Sequence, residues 1–429
     1  MSGGHSRKGR YCAVVRGPIA SVPWPVRVAA VGMILALAAV ACSPGAGSGP
    51  SGDSPGSGSS AEPGSTAGPG TEPTAEVGRL RVSSAGWRTD FTKASVDLAE
   101  FLGGGPGKDG IPAIDDPKFE SIEAARTWLD DRSPVIRVEV DGEARAYPLA
   151  ILMWHEIVND TLGGVPIVVT FCPLCNTGLV FERELEGVVY DFGTTGNLRF
   201  SDLVMYDRQT ESWWQQATGH AVVGVLTGSA LVFEPSQIVS LGDMAAADPD
   251  ADVLSRDTGH SRDYGRNPYV GYDTVDQNPF LFEGQPDGRL LPKERVVTIG
   301  DGLSAQAFRY VDLRAVGVAT AELDGAPVVV LWAPGTASAL DGPNIDENAD
   351  AGATGVFRPV AEGRDLTLAR DGDGEDAPIR DAETGSTWSI TGLAIDGPLA
   401  GAQMAPVVHG DHFWFAWAAF APDTTIWTP

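Results

Sequence analysis

The chain has 429 residues, 43% of them apolar, and carries 57 acidic side chains against 30 basic ones. Its formal net charge of −27 at pH 7 argues against nucleic acid as a partner, because phosphate binding needs a basic surface. The apolar fraction and 11 tryptophans are enough for a substantial buried core.

The first 41 residues have the composition of an export signal. They contain five basic and no acidic side chains, and an apolar run from Val26 to Ala41 ends at Cys42. The sequence Ala39-Val40-Ala41-Cys42 resembles a bacterial lipobox, which implies cleavage before Cys42 and lipidation of its thiol. A transmembrane anchor is the alternative, but the apolar stretch is shorter than the ~20 residues that a spanning helix needs. We therefore predict an exported protein, attached through Cys42 to the outer face of the cytoplasmic membrane or cell envelope.

Residues 42–78 consist almost entirely of Gly, Ser, Pro, Ala, Thr and Glu. Such a composition cannot form a core and predicts a flexible tether between membrane and domain. Residues 79–133 follow as an N-terminal extension, in which Val96–Phe101 and Phe119–Asp130 have helical spacing. We therefore expect this extension to be helical.

The rest of the chain contains an internal repeat. Residues Tyr147–Pro166 align without a gap on Phe308–Pro327, and Asp207–Trp214 recurs as Asp381–Trp388. This similarity predicts a duplication.

The two repeats are predicted to be β-rich units at 134–255 and 296–429, joined by a loop at 256–295. Short runs of β-branched residues separated by Gly turns indicate strands, and one apolar helix is predicted at Pro148–Asn159. The expected fold is mainly β (α+β), with tandem units related by a pseudo-two-fold axis and a few short helices. Strands in the first unit are predicted at Val135–Val140, Ile167–Thr170, Leu179–Glu182 and Val188–Phe192.

The first unit contains a Cys-x-x-Cys motif, and the second unit has no cysteine. Cys172 and Cys175 are the only cysteines after Cys42, so they can chelate one metal ion or form one disulfide. In thioredoxin-like proteins this motif begins a helix, whereas here the following residues have the pattern of a strand. A tight hairpin is therefore predicted, with Asn176 suited to a left-handed position.

A metal held by Cys172 and Cys175 needs further ligands, and His155 on the predicted apolar helix is the best third candidate. A lone histidine on such a helix is more often a core residue, but this one occurs in the same repeat as the cysteines. Two thiolates and an imidazole suit Cu(I) or Zn(II). Glu156 is a candidate for a supporting residue or a general base.

A polar run after the motif and the inter-repeat loop supply further candidates for ligand binding. In the polar run, Thr210, Ser212 and Trp214 recur in the second unit, which favours a role in building a turn. The loop is either a ligand-binding loop or an ordered connector whose tyrosines pack against both units. The remaining candidates are Asp207, Arg208, Gln209, Glu211, Tyr264 and Arg266.

The runs WHEIVND, TFCPLCNTGLVF, SDLVMYDRQTESWWQQATG, SRDYGRNPY and FWFAWAAFAPDT resemble a bacterial family known as domain of unknown function 3179 (DUF3179). The resemblance covers roughly Ser133 to Trp427. It implies an exported or membrane-attached protein and no particular activity, substrate or cofactor. The residues that match the family motifs include His155, Glu156, Cys172, Cys175, Asp202, Tyr206, Asp207, Arg208, Thr210 and Trp214.

The leading hypothesis is a cell-surface lipoprotein that binds copper or zinc through Cys172, Cys175 and His155. The first alternative is an extracytoplasmic thiol-disulfide oxidoreductase that cycles the two cysteines. The second is a ligand-binding or scaffolding module with a structural disulfide. Because no recognisable catalytic triad, phosphate loop or carboxylate pair is present, the sequence leaves open whether the protein is an enzyme.

Overall fold

The computed structural model describes residues 79–429. The predicted export signal at 1–41, Cys42 and the tether up to residue 78 lie outside the described residues. Within 79–429 the chain is mainly β, with five short α-helices and several sheets, which confirms the predicted fold class. In this range no helix is long and apolar enough to cross a membrane.

The N-terminal extension contains much less helix than predicted. Leu98–Glu100 is a single 3-10 turn, and strand β1 (Phe101–Gly103) follows directly. In place of the second predicted helix, Phe119–Ser121 forms strand β2 and only Ile122–Ala125 is α-helical, as α1. Both strands pair with strands of the first unit. Tertiary pairing therefore outweighs the local helical spacing here.

The first unit follows the predicted alternation of strands and tight turns. The strands predicted at 135–140, 167–170 and 179–182 are confirmed. The strand predicted at 188–192 is interrupted, because residues 190–191 separate two strands. The elements are β3 (Pro134–Val140), β4 (Glu143–Pro148), α2 (Leu149–His155), β5 (Ile157–Leu162), β6 (Val165–Cys172), β7 (Thr177–Glu182), β8 (Glu184–Leu185), β9 (Val188–Val189), β10 (Phe192–Arg199), β11 (Asp202–Asp207), β12 (Trp213–Gln215), a 3-10 turn (Gln216–Thr218), β13 (His220–Val223), β14 (Val232–Glu234), β15 (Ser236–Ser240), α3 (Leu241–Ala247) and β16 (Asp252–Leu254).

The second unit repeats this order of strands and helices. Each unit opens with a hairpin, continues through a seven-residue helix into a second hairpin, and ends in a strand, a helix and a short strand. The elements are β17 (Arg295–Ile299), a 3-10 turn (Gly302–Ser304), β18 (Gln306–Arg309), α4 (Tyr310–Val316), β19 (Val318–Leu323), β20 (Ala326–Ala333), a 3-10 turn (Ile345–Glu347), β21 (Ala353–Phe357), β22 (Val360–Ala361), β23 (Arg364–Asp365), β24 (Leu368–Arg370), β25 (Ile379–Asp381), β26 (Thr387–Trp388), β27 (Ala394–Asp396), β28 (His409–Phe413), α5 (Trp414–Phe420) and β29 (Thr425–Ile426).

The sheets of the two units have matching strand orders. The order β15-β3-β4-β16-β2 has its counterpart in β28-β17-β18-β29, and in both sheets the short strand after the helix pairs in parallel. The sheet β14-β7-β6-β5 corresponds to β21-β20-β19, and β10 to β13 correspond to β24-β25-β26-β27. This recurrence supports the predicted duplication, which stays an inference from sequence and element order.

Equivalent hairpins in the two units use the same kind of turn. Gly163-Gly164 connects β5 to β6 with φ of 57° and 81°, and Asp324-Gly325 connects β19 to β20 with φ of 55° and 73°. Glu186-Gly187 and Glu362-Gly363 are a second such pair. Positive φ at both central residues defines the type I′ turn, whose twist fits a two-residue hairpin.

The two units share a core. One continuous apolar cluster includes buried residues of both units, and strand β15 packs against β21 and β28 of the second unit. The Gln237 side chain spans the boundary by donating to the main-chain oxygens of Thr354 and Ile390, both at 3.1 Å. The pair therefore behaves as one folding unit rather than as two separate domains.

Candidate metal centre

The Cys-x-x-Cys motif lies on a tight hairpin between β6 and β7. Cys172 ends β6 opposite Thr177, and the Cys175 N–H donates to the Cys172 carbonyl at 3.2 Å. Asn176 has φ of 51°, which confirms its predicted left-handed conformation. Because a strand and not a helix follows, the thioredoxin-like arrangement is excluded. Both cysteines are free thiols and buried.

Asp202 meets the two thiols from the adjacent β10–β11 hairpin. The Cys175 thiol lies 3.3 Å from Asp202 Oδ1 and 3.4 Å from the Ser201 carbonyl oxygen, which is 3.8 Å from the Cys172 sulfur. One ligand atom each from Cys172, Cys175 and Asp202 lies within 4.8 Å of the other two. Among the described residues, this is the only group of three or more Cys, His, Asp or Glu side chains at metal-ligand spacing.

The turn that presents Asp202 is conformationally unfavourable. Phe200 and Ser201 have φ of 53° and 68°, in a two-residue hairpin where Arg199 pairs with Asp202. Such turns normally use Asn or Gly, since a bulky residue in this region costs roughly 1–3 kcal/mol. Strain of this kind concentrates at functional sites. Here the turn points the Ser201 carbonyl and the Asp202 carboxylate at the sulfurs.

The Asp202 carboxylate is held by one of its two oxygens. Oδ2 accepts hydrogen bonds from the Gln215 side-chain amide and from the Ala217 N–H at 3.0 Å. Oδ1 accepts a hydrogen bond from the Cys175 thiol. Burial raises the pKa of Asp202 to about 6, although the hydrogen bonds to its carboxylate oppose the shift.

Glu156 is a second buried carboxyl beside this group. It follows α2 in a left-handed conformation with φ of 59°, at the position where the second unit has Gly317 with φ of 77°. Its N–H donates to the Leu152 carbonyl, and the helix ends at His155, four residues earlier than predicted. No hydrogen bond joins its carboxyl group to another residue within 79–429. Burial, with the charge of Asp202, raises the pKa of Glu156 to about 8.

Both thiols are held in the protonated form. Burial raises the pKa of Cys172 and of Cys175, and the negative charge of Asp202 acts in the same direction on both. The charge of Glu156 also raises the Cys172 pKa. Two acids next to two thiols are therefore an environment that favours a bound cation over free thiolates.

The inter-repeat loop covers the centre. Tyr269 and Tyr272 pack against the core that contains the cysteines, and burial, together with the charge of Cys172, raises the pKa of both tyrosines. The Ser201 hydroxyl donates to the Phe280 carbonyl, and the Phe280 N–H donates to the Tyr272 hydroxyl at 3.3 Å. We call residues 256–294 the cover. Its tyrosines pack in the way expected of an ordered connector.

His155 lies outside the thiol–carboxylate group, although sequence analysis placed it there. Its Nδ1 donates to the Pro112 carbonyl at 2.7 Å, and its Nε2 accepts from the Tyr264 hydroxyl at 2.7 Å. Burial lowers the pKa of His155 to about 4, which keeps the imidazole neutral. With both nitrogens engaged, His155 ties the cover to the N-terminal extension, and Asp202 is the side chain that lies beside the two thiols instead.

The polar run after β11 also lies apart from the cysteines. Asp207 accepts from the Thr210 N–H at 2.6 Å and from the Trp214 indole at 3.0 Å, so it builds the turn. Asp381 makes the same bonds in the second unit, to Thr384 at 2.5 Å and Trp388 at 2.9 Å. The repeated threonine, serine and tryptophan are therefore turn residues, as their recurrence indicates.

The other candidates in this run hold the N-terminal extension or a neighbouring hairpin. Glu211 pairs with Lys108 at 2.9 Å and with Arg88 at 3.0 Å. Arg208 pairs with Asp109 and Asp115, whereas Gln209 accepts from the Asp191 N–H. Arg266 on the cover is exposed and bonds to the Asn344 side chain. None of these contacts reaches a thiol.

Asp202 is the member of the thiol–carboxylate group that the sequence did not predict. It belongs to a motif shared with the resembled family, but its sequence distance from Cys175 gives no hint of contact. The available signal was the short spacing between β10 and β11. Such spacing is typical of a hairpin and places residue 202 directly after the turn.

Fold and site together define a mainly β protein whose two units share an order of elements, with a buried centre of two thiols and one carboxylate. Residues 108–424 match the family described as "Protein of unknown function (DUF3179)", and the chain belongs to that family. Comparisons with curated proteins and with solved structures gave no match.

Proposed function

We propose that this protein binds one soft metal ion, Zn(II) or Cu(I), through Cys172, Cys175 and Asp202. The observation that carries the proposal is the convergence of three buried ligand atoms within 4.8 Å of one another, from two separate hairpins. In a tetrahedral zinc site, bond lengths of about 2.0–2.3 Å place sulfur and oxygen ligands roughly 3.6 Å apart. The 3.3 Å between Cys175 Sγ and Asp202 Oδ1 is close to that spacing.

The donor set favours zinc over copper. Cu(I) is a soft ion that two thiolates satisfy, whereas Zn(II) accepts a carboxylate oxygen in addition. Glu156 is the protein group we propose for a fourth position, since the charge of Asp202 acts on Glu156 and the charge of Glu156 acts on Cys172. A water or substrate in that position instead would make the site catalytic. Because the thiols must lose their protons, affinity should rise with pH.

We propose further that the domain is displayed outside the cytoplasm as a lipoprotein. The support is the sequence of the first 42 residues, with five basic side chains, an apolar run and a cysteine in a lipobox-like context. The membrane is then a partner through the lipid on Cys42. Metabolic labelling with a fatty-acid probe tests this, because a Cys42→Ala variant would no longer take up label.

Metal content of the full-length protein, purified anaerobically without chelator, tests the binding proposal. We expect near-stoichiometric zinc or copper in the wild type, and loss of metal in Cys172→Ser, Cys175→Ser and Asp202→Asn. His155→Gln is the matched control, because His155 bonds to Pro112 and Tyr264 instead of the thiols. Cobalt substitution then reports thiolate ligands by charge-transfer absorbance. Absence of metal after reconstitution, or its retention in folded Asp202→Asn, would reject this ligand set.

A thiol-disulfide oxidoreductase is the second candidate. Two free thiols lie beside carboxyl groups whose raised pKa values suit them to accept a thiol proton. In such a reaction a disulfide substrate is reduced to two thiols, while Cys172 and Cys175 lose two protons and two electrons and become a disulfide. Rapid reduction of a small disulfide by metal-free protein, lost in both cysteine variants, would favour this function over metal binding.

A further inference from the structure

A second polar site lies where the two units meet, away from the cysteines. A cavity of about 100 Å³ is bounded by strands β3 and β15 of the first unit and by the ends of strands β21 and β28 of the second, with residues of the chain between them. Its outer rim includes the exposed residues Glu139 and Gln403, so a solute has a route in. Its inner wall includes His409, 5% exposed, and Phe357, 1% exposed.

His409 is the first sign that the cavity takes a ligand. Its Nδ1 lies 2.8 Å from the Val407 carbonyl, which can only accept, so Nδ1 carries the proton. Nε2 is then a bare acceptor in the neutral ring. Nε2 is buried and has no hydrogen-bond partner among the described residues. A buried polar atom without a partner is destabilising, and a donor in the cavity would satisfy it.

Two glutamines add acceptors to the same wall. The Gln237 amide nitrogen donates to two main-chain carbonyls, and the Gln403 nitrogen donates to the carbonyls of Thr391 at 2.8 Å and Met404 at 3.1 Å. With both nitrogens engaged, each side chain has its amide oxygen left to offer. The cavity is therefore rich in acceptors.

The charged groups of the cavity leave no free positive charge. Arg137 is the one lining residue with a permanent positive charge, and it is paired with Glu139, also in the lining, at 2.8 Å and with Asp248, outside the lining, at 2.6 Å. The guanidinium is therefore neutralised, and a cation can enter beside Glu139. The Phe357 ring supplies an apolar wall that tolerates a cation or an alkyl group.

We propose that this cavity binds a small organic ammonium ion. The N–H groups of the ligand would donate to His409 Nε2 and to the glutamine oxygens, Glu139 would balance its charge, and Phe357 would contact its carbon atoms. The site is independent of the metal centre, because its lining residues include neither cysteine nor Asp202.

Calorimetric titration of the full-length protein with methylammonium and ethylammonium chloride tests the proposal. We expect saturable binding with a dissociation constant on the order of millimolar, as befits a ligand of two or three heavy atoms. His409→Phe and Glu139→Gln should each weaken binding by about tenfold, the effect of losing a charge-assisted hydrogen bond or an opposing charge. Acetamide and sodium acetate serve as neutral and anionic probes.

Two matched variants control for general effects. His220→Phe changes an exposed histidine and Glu123→Gln an exposed acid, and neither lines the cavity. Both should bind the ammonium probes as the wild type does. Because Glu139 is exposed, Glu139→Gln keeps the test valid even if His409→Phe fails to fold. Absence of saturable binding, tighter binding of acetate or acetamide, or unchanged affinity in Glu139→Gln would overturn the proposal.

Discussion

Glu156 combines two unfavourable properties that a structural residue rarely keeps together. It adopts a left-handed conformation, where its counterpart Gly317 has no side chain to strain, and it buries a carboxyl group beside a second acid. In the second unit, helix α4 ends in the same way at Gly317, which has no carboxylate. This difference between the units is what we expect if Glu156 supports the thiol–carboxylate group rather than the fold.

The raised pKa of Glu156 predicts how stability depends on pH. The ordinary value of 4.5 applies to the unfolded chain, and the folded value is about 8. Between these pH values the folded protein holds a proton that the unfolded chain has released, so metal-free protein loses stability as pH rises. Glu156→Gln removes this loss, and at pH 7 it should raise the free energy of unfolding by on the order of 3 kcal/mol.

Urea unfolding at pH 5 and pH 7, with chelator present, measures the effect of Glu156→Gln. The gain should be small at pH 5 and large at pH 7. Glu123→Gln, on the exposed face of α1, should show no difference between the two pH values. A gain in Glu156→Gln that is the same at both would contradict a buried, protonated Glu156.

Asn176 gives a second test at the scale of one residue. Its φ of 51° is accessible to Gly and Asn but costs other residues about 1–2 kcal/mol. Asn176→Gly should therefore leave the free energy of unfolding nearly unchanged, whereas Asn176→Val should lower it by roughly 2 kcal/mol and loosen the cysteine hairpin. Denaturant unfolding of both variants measures this. Equal stability of the two would show that backbone conformation is not what selects Asn176.

At the scale of elements, local sequence patterns predicted most strands correctly. They failed for strands that form only by pairing with strands far away in the sequence. The β6–β7 hairpin and its left-handed Asn176 follow from β-branched runs around a short turn. The N-terminal strands β1 and β2 exist only because distant strands pair with them, and no local spacing encodes that.

The residues of the thiol–carboxylate group divide in the same way. Cys172 and Cys175 are neighbours along the chain, and the sequence alone identified them. Asp202 reaches them because the β10–β11 turn lies beside the cysteine hairpin, which is a property of the folded sheets. His155 was selected for its nearness in sequence, but α2 directs its imidazole to Pro112 and Tyr264.

The paired turns at Asp207 and Asp381 predict equal, purely structural effects. Each carboxylate accepts from a threonine and from a buried tryptophan indole. Asp207→Ala and Asp381→Ala should each lower the free energy of unfolding by about 3 kcal/mol, since buried donors lose their partner. Thermal unfolding and metal analysis of the two variants check this. Loss of metal from folded Asp207→Ala alone would place Asp207 in the metal centre.

At the scale of the whole molecule, the buried thiol–carboxylate group is covered by residues that lie outside the sheets that carry it. The cover passes between the two units, and its Tyr272 carbonyl accepts from the buried Lys293 ammonium at 2.5 Å. The same ammonium lies 3.6 Å from the centre of the Tyr272 ring. Lys293 and Tyr272 both belong to the cover, so this contact braces the fold of the cover itself beside the cysteines. We expect the thiols to become more accessible to solvent when the contact is lost.

Lys293→Met keeps most of the side-chain volume and removes the ammonium that holds Tyr272. The cover should then open more often, and the metal-free thiols should react with iodoacetamide about tenfold faster, as expected for the loss of roughly 1.4 kcal/mol of closing free energy. Lys108→Met is the matched control. Lys108 belongs to the N-terminal extension and also lies over aromatic rings, those of Trp87 and Tyr206. Mass spectrometry of Cys172 and Cys175 over time measures both rates. Equal acceleration in the two variants would reflect general loosening, whereas acceleration in Lys293→Met alone identifies the cover as the barrier between solvent and the thiols.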